Sequence, residues 1–197
     1  MGQHALFVDL ACVINCDPGE VFHLEQVRFA DGTFSLCRKA SKIGYRLVMV
    51  THQKDTACGT VCAGDYNTLM RWMRHEFLRE EIVFDGMYHC PSQSTPEAVE
   101  SDPDPWEGRP GAGTLRRAAR DLHLALSESV MVASQSTDVA AANAGGLRQA
   151  FVLCGAERVN SCGACTAVRS LGEVEAWLVA HGKGALLPAA DQSLVSA

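Results

Sequence analysis

No apolar run in this 197-residue chain approaches the ~20 residues of a membrane span, and a membrane partner is not expected. Nor does any Lys/Arg cluster or basic stripe break an acidic balance in which 17 Lys and Arg face 23 Asp and Glu, for a formal net charge of −6. A nucleic-acid footprint needs the opposite sign gathered on one face, so nucleic acid is excluded as an expected partner. The apolar start is interrupted at Asp9 with no cleavage-site pattern after it, which points to a cytoplasmic protein. An even cysteine set is missing as well. Nine cysteines, at positions 12, 16, 37, 58, 62, 90, 154, 162 and 165, argue against a disulfide framework and for free thiols.

Proline is scarce outside one stretch. Pro91, Pro96, Pro103, Pro105 and Pro110, interleaved with Ser, Asp and Glu, forbid a long helix or a central strand between Cys90 and Gly113. A long surface loop is expected there, of the kind that is usually functional or mobile. With 47% hydrophobic residues, the rest of the chain suffices for one well-buried domain, read here as residues 1–182. The Ala/Ser/Gly-rich tail, 183–197, is expected to fray.

Along that domain, strands and helices alternate. Leu6 to Asn15 begins as a buried strand, Ala5 to Asp9, that runs straight into a carboxylate. Further strands are read at Arg46 to Thr51, Ile82 to Tyr88, Val130 to Ala133 and Ala150 to Leu153. Helices are read at Thr33 to Ile43, leading to Gly44; after Asp65 as N-cap, with Tyr66, Leu69, Met70, Met73 and Phe77 at helical spacing; and at Leu115 to Leu122. An Ala-rich helix precedes the fifth strand, and Ser170-Leu-Gly-Glu173 reads as a capping box opening the last helix. This alternation predicts an α/β fold, a three-layer doubly wound parallel sheet. Its crevice would lie at the carboxyl ends of the strands, where Asp9, Thr51 and Ser134 fall.

Cys12, Cys37 and Cys154 stand in apolar surroundings and read as small core residues. Cys58-x3-Cys62 and Cys162-Gly-Ala-Cys165 are closer pairs. The second is a zinc half-site or dithiol pattern, and no matching knuckle accompanies it.

The segment Asp9-Leu10-Ala11-Cys12-Val13-Ile14-Asn15 resembles motif I of the haloacid-dehalogenase (HAD) phosphatases, D-x-D-G-T-[IVL]-N. In that family the first Asp attacks phosphorus and the second protonates the leaving oxygen. From Asp9 to about Gly155 the chain is further similar to the capless D-glycero-D-manno-heptose-1,7-bisphosphate 7-phosphatases and the related histidinol-phosphatases. The resemblance rests on Thr51-His52-Gln53 (family T-N-Q), Gly59, Asp85-Gly86-x-Tyr88-x-Cys90-Pro91 (D-G-x-Y-x-C-P), Arg109-Pro110-x-x-Gly113 (K-P-x-P-G), and Asp138 with Phe151-Val152-Leu153. It implies a Rossmann-like fold, Asp9 as nucleophile, phosphate binding by Thr51, His52 and Arg109, and Mg²⁺ as cofactor.

It also marks losses. Ala11 stands at the general-acid position, which implies a loss of ~10²- to 10⁴-fold. The family's magnesium ligands map onto Asp9, the Ala11 carbonyl and, where a G-D pair closes the fourth strand, Ala133-Ser134. Asp138 matches a second family acid one helical turn on, able to reach the site through water. A hard cation anchored by one carboxylate should be held weakly or not at all. Arg109 keeps the charge of the family lysine but not its compact geometry. The structural-zinc pattern reads Cys90-x-Ser92 and Pro105-x-Glu107, so Cys90 alone survives and zinc is not expected.

Three readings follow. One is a catalytically degenerate sugar-phosphate phosphatase homologue that binds a phosphorylated small molecule or a protein partner. The second is an active phosphomonoesterase in which Asp9 remains the nucleophile and His52 or water supplies the proton. The third is a metal- or redox-responsive protein working through its cysteine pairs.

Overall fold

A computed structural model describes residues 2–15, 27–52, 63–90, 112–153 and 165–182. Six parallel strands form the central sheet: β1 (Ala5–Asp9), β4 (Arg46–His52), β5 (Gly86–Cys90), β6 (Val130–Ala133), β7 (Gln149–Leu153) and β8 (Cys165–Val168), in the spatial order β5-β4-β1-β6-β7-β8. Two short strands, β2 (Ile14–Asn15) and β3 (Arg28–Phe29), pair antiparallel beside it. The helices are α1 (Leu10–Val13), α2 (Thr33–Lys42), α3 (Ala63–Arg79), α4 (Ala112–Leu122), α5 (Ser136–Gly145) and α6 (Leu171–His181).

β1 is apolar along its length up to Asp9 and wholly buried, as a strand covered on both faces must be. Its side chains divide by parity. Leu6 and Val8 join a core with Leu36 and Cys37 of α2, Met73 and Phe77 of α3, and Val174 and Leu178 of α6. Ala5 and Phe7 join a second core with Leu115 and Ala118 of α4 and Val139 and Ala142 of α5. Helices therefore cover both faces, and the doubly wound three-layer architecture predicted from the alternation is the one observed. Burial pushes the Cys37 thiol up to about 12, which makes it an inert core residue.

Several boundaries differ from the sequence reading. The first strand keeps the bounds read for it, Ala5–Asp9, but the chain then continues as the single turn α1, with Asp9 at the N-cap position and its side chain making no cap bond. The third strand begins at Gly86, not Ile82. Ile82 and Phe84 are buried in the approach to the strand, so their hydrophobicity signals core packing, and pairing starts only after the Asp85 carboxylate accepts the Leu47 N–H at 2.9 Å. A Cβ at Gly86 would stand 2.5 Å from the Tyr88 ring, which would have to move to admit it. The D-G-x-Y stretch thus shapes the sheet edge.

α3 begins at Ala63, so Asp65 lies inside it and is not its N-cap. α4 begins at Ala112, which puts Gly113 in the helix and shortens the expected loop; 91–111 lie outside the described residues. The predicted box at Ser170 is displaced. Glu173 accepts from the Arg169 N–H at 3.3 Å, and Ser170 caps without a side-chain bond. The short strands β2, β3 and β8 were not read from sequence.

Candidate functional site

The chain order reverses beside β1. It moves from β1 to β4 and β5 on one side, then returns to β6 on the other, which opens a crevice at the carboxyl ends of β1 and β6. Asp9 is the last residue of β1, paired with Val50 of β4, while Val8 pairs with Val132 of β6. Thr51 follows Val50 on β4, and Ser134 immediately follows β6. Three adjacent strand ends therefore bring together residues 9, 51 and 134.

Asp9 is fully buried in ordinary extended backbone, φ −70° and ψ 134°. Its Oδ2 accepts a hydrogen bond from the Ser134 hydroxyl at 2.5 Å. The Cys12 thiol lies 3.9 Å from the same oxygen. That thiol was read as core only. It is indeed buried, but one helical turn past Asp9, and that three-residue spacing is the signal that would have found it.

Ala11, on α1, is exposed and carries no proton donor. Thr51 is buried. His52 closes β4 opposite Cys90, the last residue of β5. Arg109, Gln53, Ser92, Pro105 and Glu107 lie outside the described residues, as do Cys58, Cys62 and Cys162; Cys165 opens β8 and is partly buried.

Asp138 is buried, and its Oδ2 accepts the Gln135 N–H at 3.1 Å. It forms the capping box that starts α5, an arrangement that satisfies otherwise orphaned amides. Among the described residues, no group of three or more His, Cys, Asp or Glu side chains is disposed to hold a metal ion. Among the described residues, the side-chain oxygens at these three strand ends are the Asp9 carboxylate and the Thr51 and Ser134 hydroxyls. No helix among the described residues is long and apolar enough to cross a membrane.

Ser134 and Cys12 are neutral donors to a fully buried carboxylate, and burial weighs against its charged form. Replacing the charge while keeping an acceptor should relieve that penalty. Asp9→Asn is expected to fold normally and to melt about 2–4 °C higher, the equivalent of roughly 1 kcal/mol. A clear drop in melting temperature, read by calorimetry without ligand, would show that Asp9 is already well compensated.

A family model described as HAD-hydrolase-like matches residues 106–170. The chain is 30% identical over 168 residues, 85% of its length and 89% of the relative's, to D-glycero-alpha-D-manno-heptose-1,7-bisphosphate 7-phosphatase of Burkholderia mallei. It is 34% identical over 143 residues, 71% of its length and 74% of the relative's, to the D-glycero-beta-D-manno-heptose-1,7-bisphosphate 7-phosphatase of Salmonella typhi. In structure it is similar to D,D-heptose 1,7-bisphosphate phosphatase of B. bronchiseptica, solved with magnesium and phosphate. The TM-score is 0.72 at 17% identity, over 90% of this chain and 99% of that one.

Proposed function

The chain belongs to the heptose-bisphosphate phosphatase family of HAD-like hydrolases, and from that premise we propose that it binds a phosphorylated sugar at the Asp9 end of the sheet while turning it over poorly. The ligand class comes from the relatives, which are named for D,D-heptose 1,7-bisphosphate. The poor turnover comes from the site.

The observation that carries the reading is the pairing of Ser134 with Asp9, together with the exposed methyl group of Ala11. A phosphoryl transfer from a sugar alkoxide needs a proton delivered to the leaving oxygen. It also needs positive charge over the transferring group, because catalysis of this step is mostly positioning and electrostatics. Ala11 cannot supply the proton. Ser134 brings no charge, so an ionised Asp9 approaching a phosphate dianion meets repulsion that a hydroxyl does not offset. Binding and chemistry separate on this point: Thr51, with Arg109 from the family's phosphate-binding motif, can still engage a phosphate, whereas the bond-breaking step loses its acid.

Turnover of heptose 1,7-bisphosphate and of generic phosphomonoesters is expected to be indistinguishable from that of Asp9→Asn, with calorimetry detecting the sugar phosphate in both. A second reading, an active phosphomonoesterase with Asp9 as nucleophile, is favoured by the placement of Asp9 at the strand end beside the switch point. A robust rate abolished by Asp9→Asn would establish it in place of the first.

A further inference from the structure

We propose that Asp9 is positioned by protein donors in place of a divalent cation, the Ser134 hydroxyl being the principal one and the Cys12 thiol the second. The proposal rests on the reading of a binding site with little turnover and deepens it: the pocket works without Mg²⁺.

Three observations support it. The first is geometric. Ser134 Oγ and Asp9 Oδ2 are in direct hydrogen-bond contact at 2.5 Å, and the proton between them faces the carboxylate. The hydroxyl thus meets Asp9 directly as a donor, in the place where a second carboxylate would meet it through the ion. The second is the donor set. Mg²⁺ is usually anchored by one or two carboxylates in near-ideal octahedral geometry, and here the β6 end offers a hydroxyl, which carries no charge. The third is Asp138, whose Oδ2 accepts the Gln135 N–H that opens α5; releasing it would cost the helix its cap.

The chemistry of the substitution is coherent. A hydrogen bond to an ionised carboxylate is roughly twice as strong as one between neutral groups, and this one joins a fully buried acid to a partly buried hydroxyl. The Cys12 thiol is a weak donor at 3.9 Å and adds orientation more than energy. Ser134 is thus a positioning residue: it acts on a ligand through Asp9.

The test uses the full chain and three variants, Ser134→Ala, Ser134→Thr and Ser134→Asp, melted in EDTA and in millimolar MgCl2 with matched ionic strength. Free Mn²⁺ is followed by electron paramagnetic resonance as a second readout. The unmodified protein should melt at the same temperature in both buffers and leave the Mn²⁺ signal unchanged. Ser134→Ala should melt about 2–4 °C lower in both, Ser134→Thr should restore the loss by keeping the hydroxyl, and Ser134→Asp should melt low in EDTA and rise with Mg²⁺. A Mg²⁺-dependent rise or Mn²⁺ uptake in the unmodified protein would overturn the proposal, as would a Ser134→Ala variant that melts like the parent in EDTA. The two readings fail separately. Phosphatase turnover that persists in EDTA would remove the low-turnover function and leave the cation-free site standing, whereas Mg²⁺ binding without turnover would do the reverse.

Discussion

Restoring both carboxylates at once, Ala11→Asp with Ser134→Asp, is expected to produce a magnesium-dependent phosphatase whose turnover exceeds that of the parent by about 10²- to 10⁴-fold. The two changes supply different things. Aspartate at 134 follows β6 at a position already in contact with Asp9, so it adds a second carboxylate where the parent has a neutral donor. Aspartate at 11 places an acid on the exposed side of α1, where a leaving oxygen can take its proton. Neither should suffice alone: Ser134→Asp would bind cation without protonating the leaving group, and Ala11→Asp would offer a proton to a phosphate still repelled by Asp9. The pair should therefore be strongly non-additive, as residues sharing one site are. Calorimetry with Mg²⁺ should show no binding tighter than millimolar in the parent and clear binding in the double variant, and initial rates on a sugar phosphate complete the cycle. A double variant that binds Mg²⁺ and remains inert would place the defect elsewhere, Arg109 being the next candidate.

The largest stability effect is expected at Phe77, where truncation to alanine should cost about 3–5 kcal/mol. Phe77 is buried at the meeting point of four elements. Its ring stands edge-on to Phe29 at 5.3 Å, to Phe34 at 5.3 Å and to Phe84 at 4.8 Å, and Phe29 in turn stacks on Trp72 at 5.5 Å. The cluster fastens β3, α2 and the loop before β5 onto α3. Removing its centre forfeits both the buried area and the edge-to-face contacts, and leaves a cavity that rigid neighbours cannot close. Denaturant unfolding should show a lower midpoint at unchanged slope. The neighbouring Leu78, 51% exposed, serves as the control, and Leu78→Ala should change stability by no more than about 0.5 kcal/mol. Because β3 pairs with β2, which follows Asp9 by way of α1, the Phe77 variant should also weaken sugar-phosphate binding if the cluster steadies that end of β1.

How much of this was legible in advance depended on range. β1, β4, β6 and β7 were placed within one or two residues, because an apolar run buried on both faces is a local signal. Cys165–Val168 was not read as a strand. Only its pairing with β7 makes it one, and its central residues Thr166 and Ala167 are exposed. Ile82 and Phe84 misled for the complementary reason: they are buried in a core without being paired, and hydrophobicity alone does not distinguish the two. Asp65 has the chemistry of an N-cap, yet the backbone had already turned helical at Ala63, and a propensity yields to tertiary context.

The candidate site divides along the same line. The sequence by itself determined the family, the class of fold, the carboxylate at the end of the first strand, and the absence of an acid at position 11. These are properties of short segments, where each residue's chemistry and spacing are visible without knowing what lies opposite. Only the tertiary structure decided what Asp9 touches. Ser134 is 125 positions away, and the sequence could present it as a lost ligand but not as a donor. The two meet because β6 returns to lie parallel beside β1 on the side opposite β4. That crossover also puts Asp138 at the start of α5, where one of its carboxylate oxygens accepts the Gln135 N–H. A hydrogen bond depends on a few tenths of an ångström and on direction, and such distances between remote residues exist only once the sheet has ordered its strands.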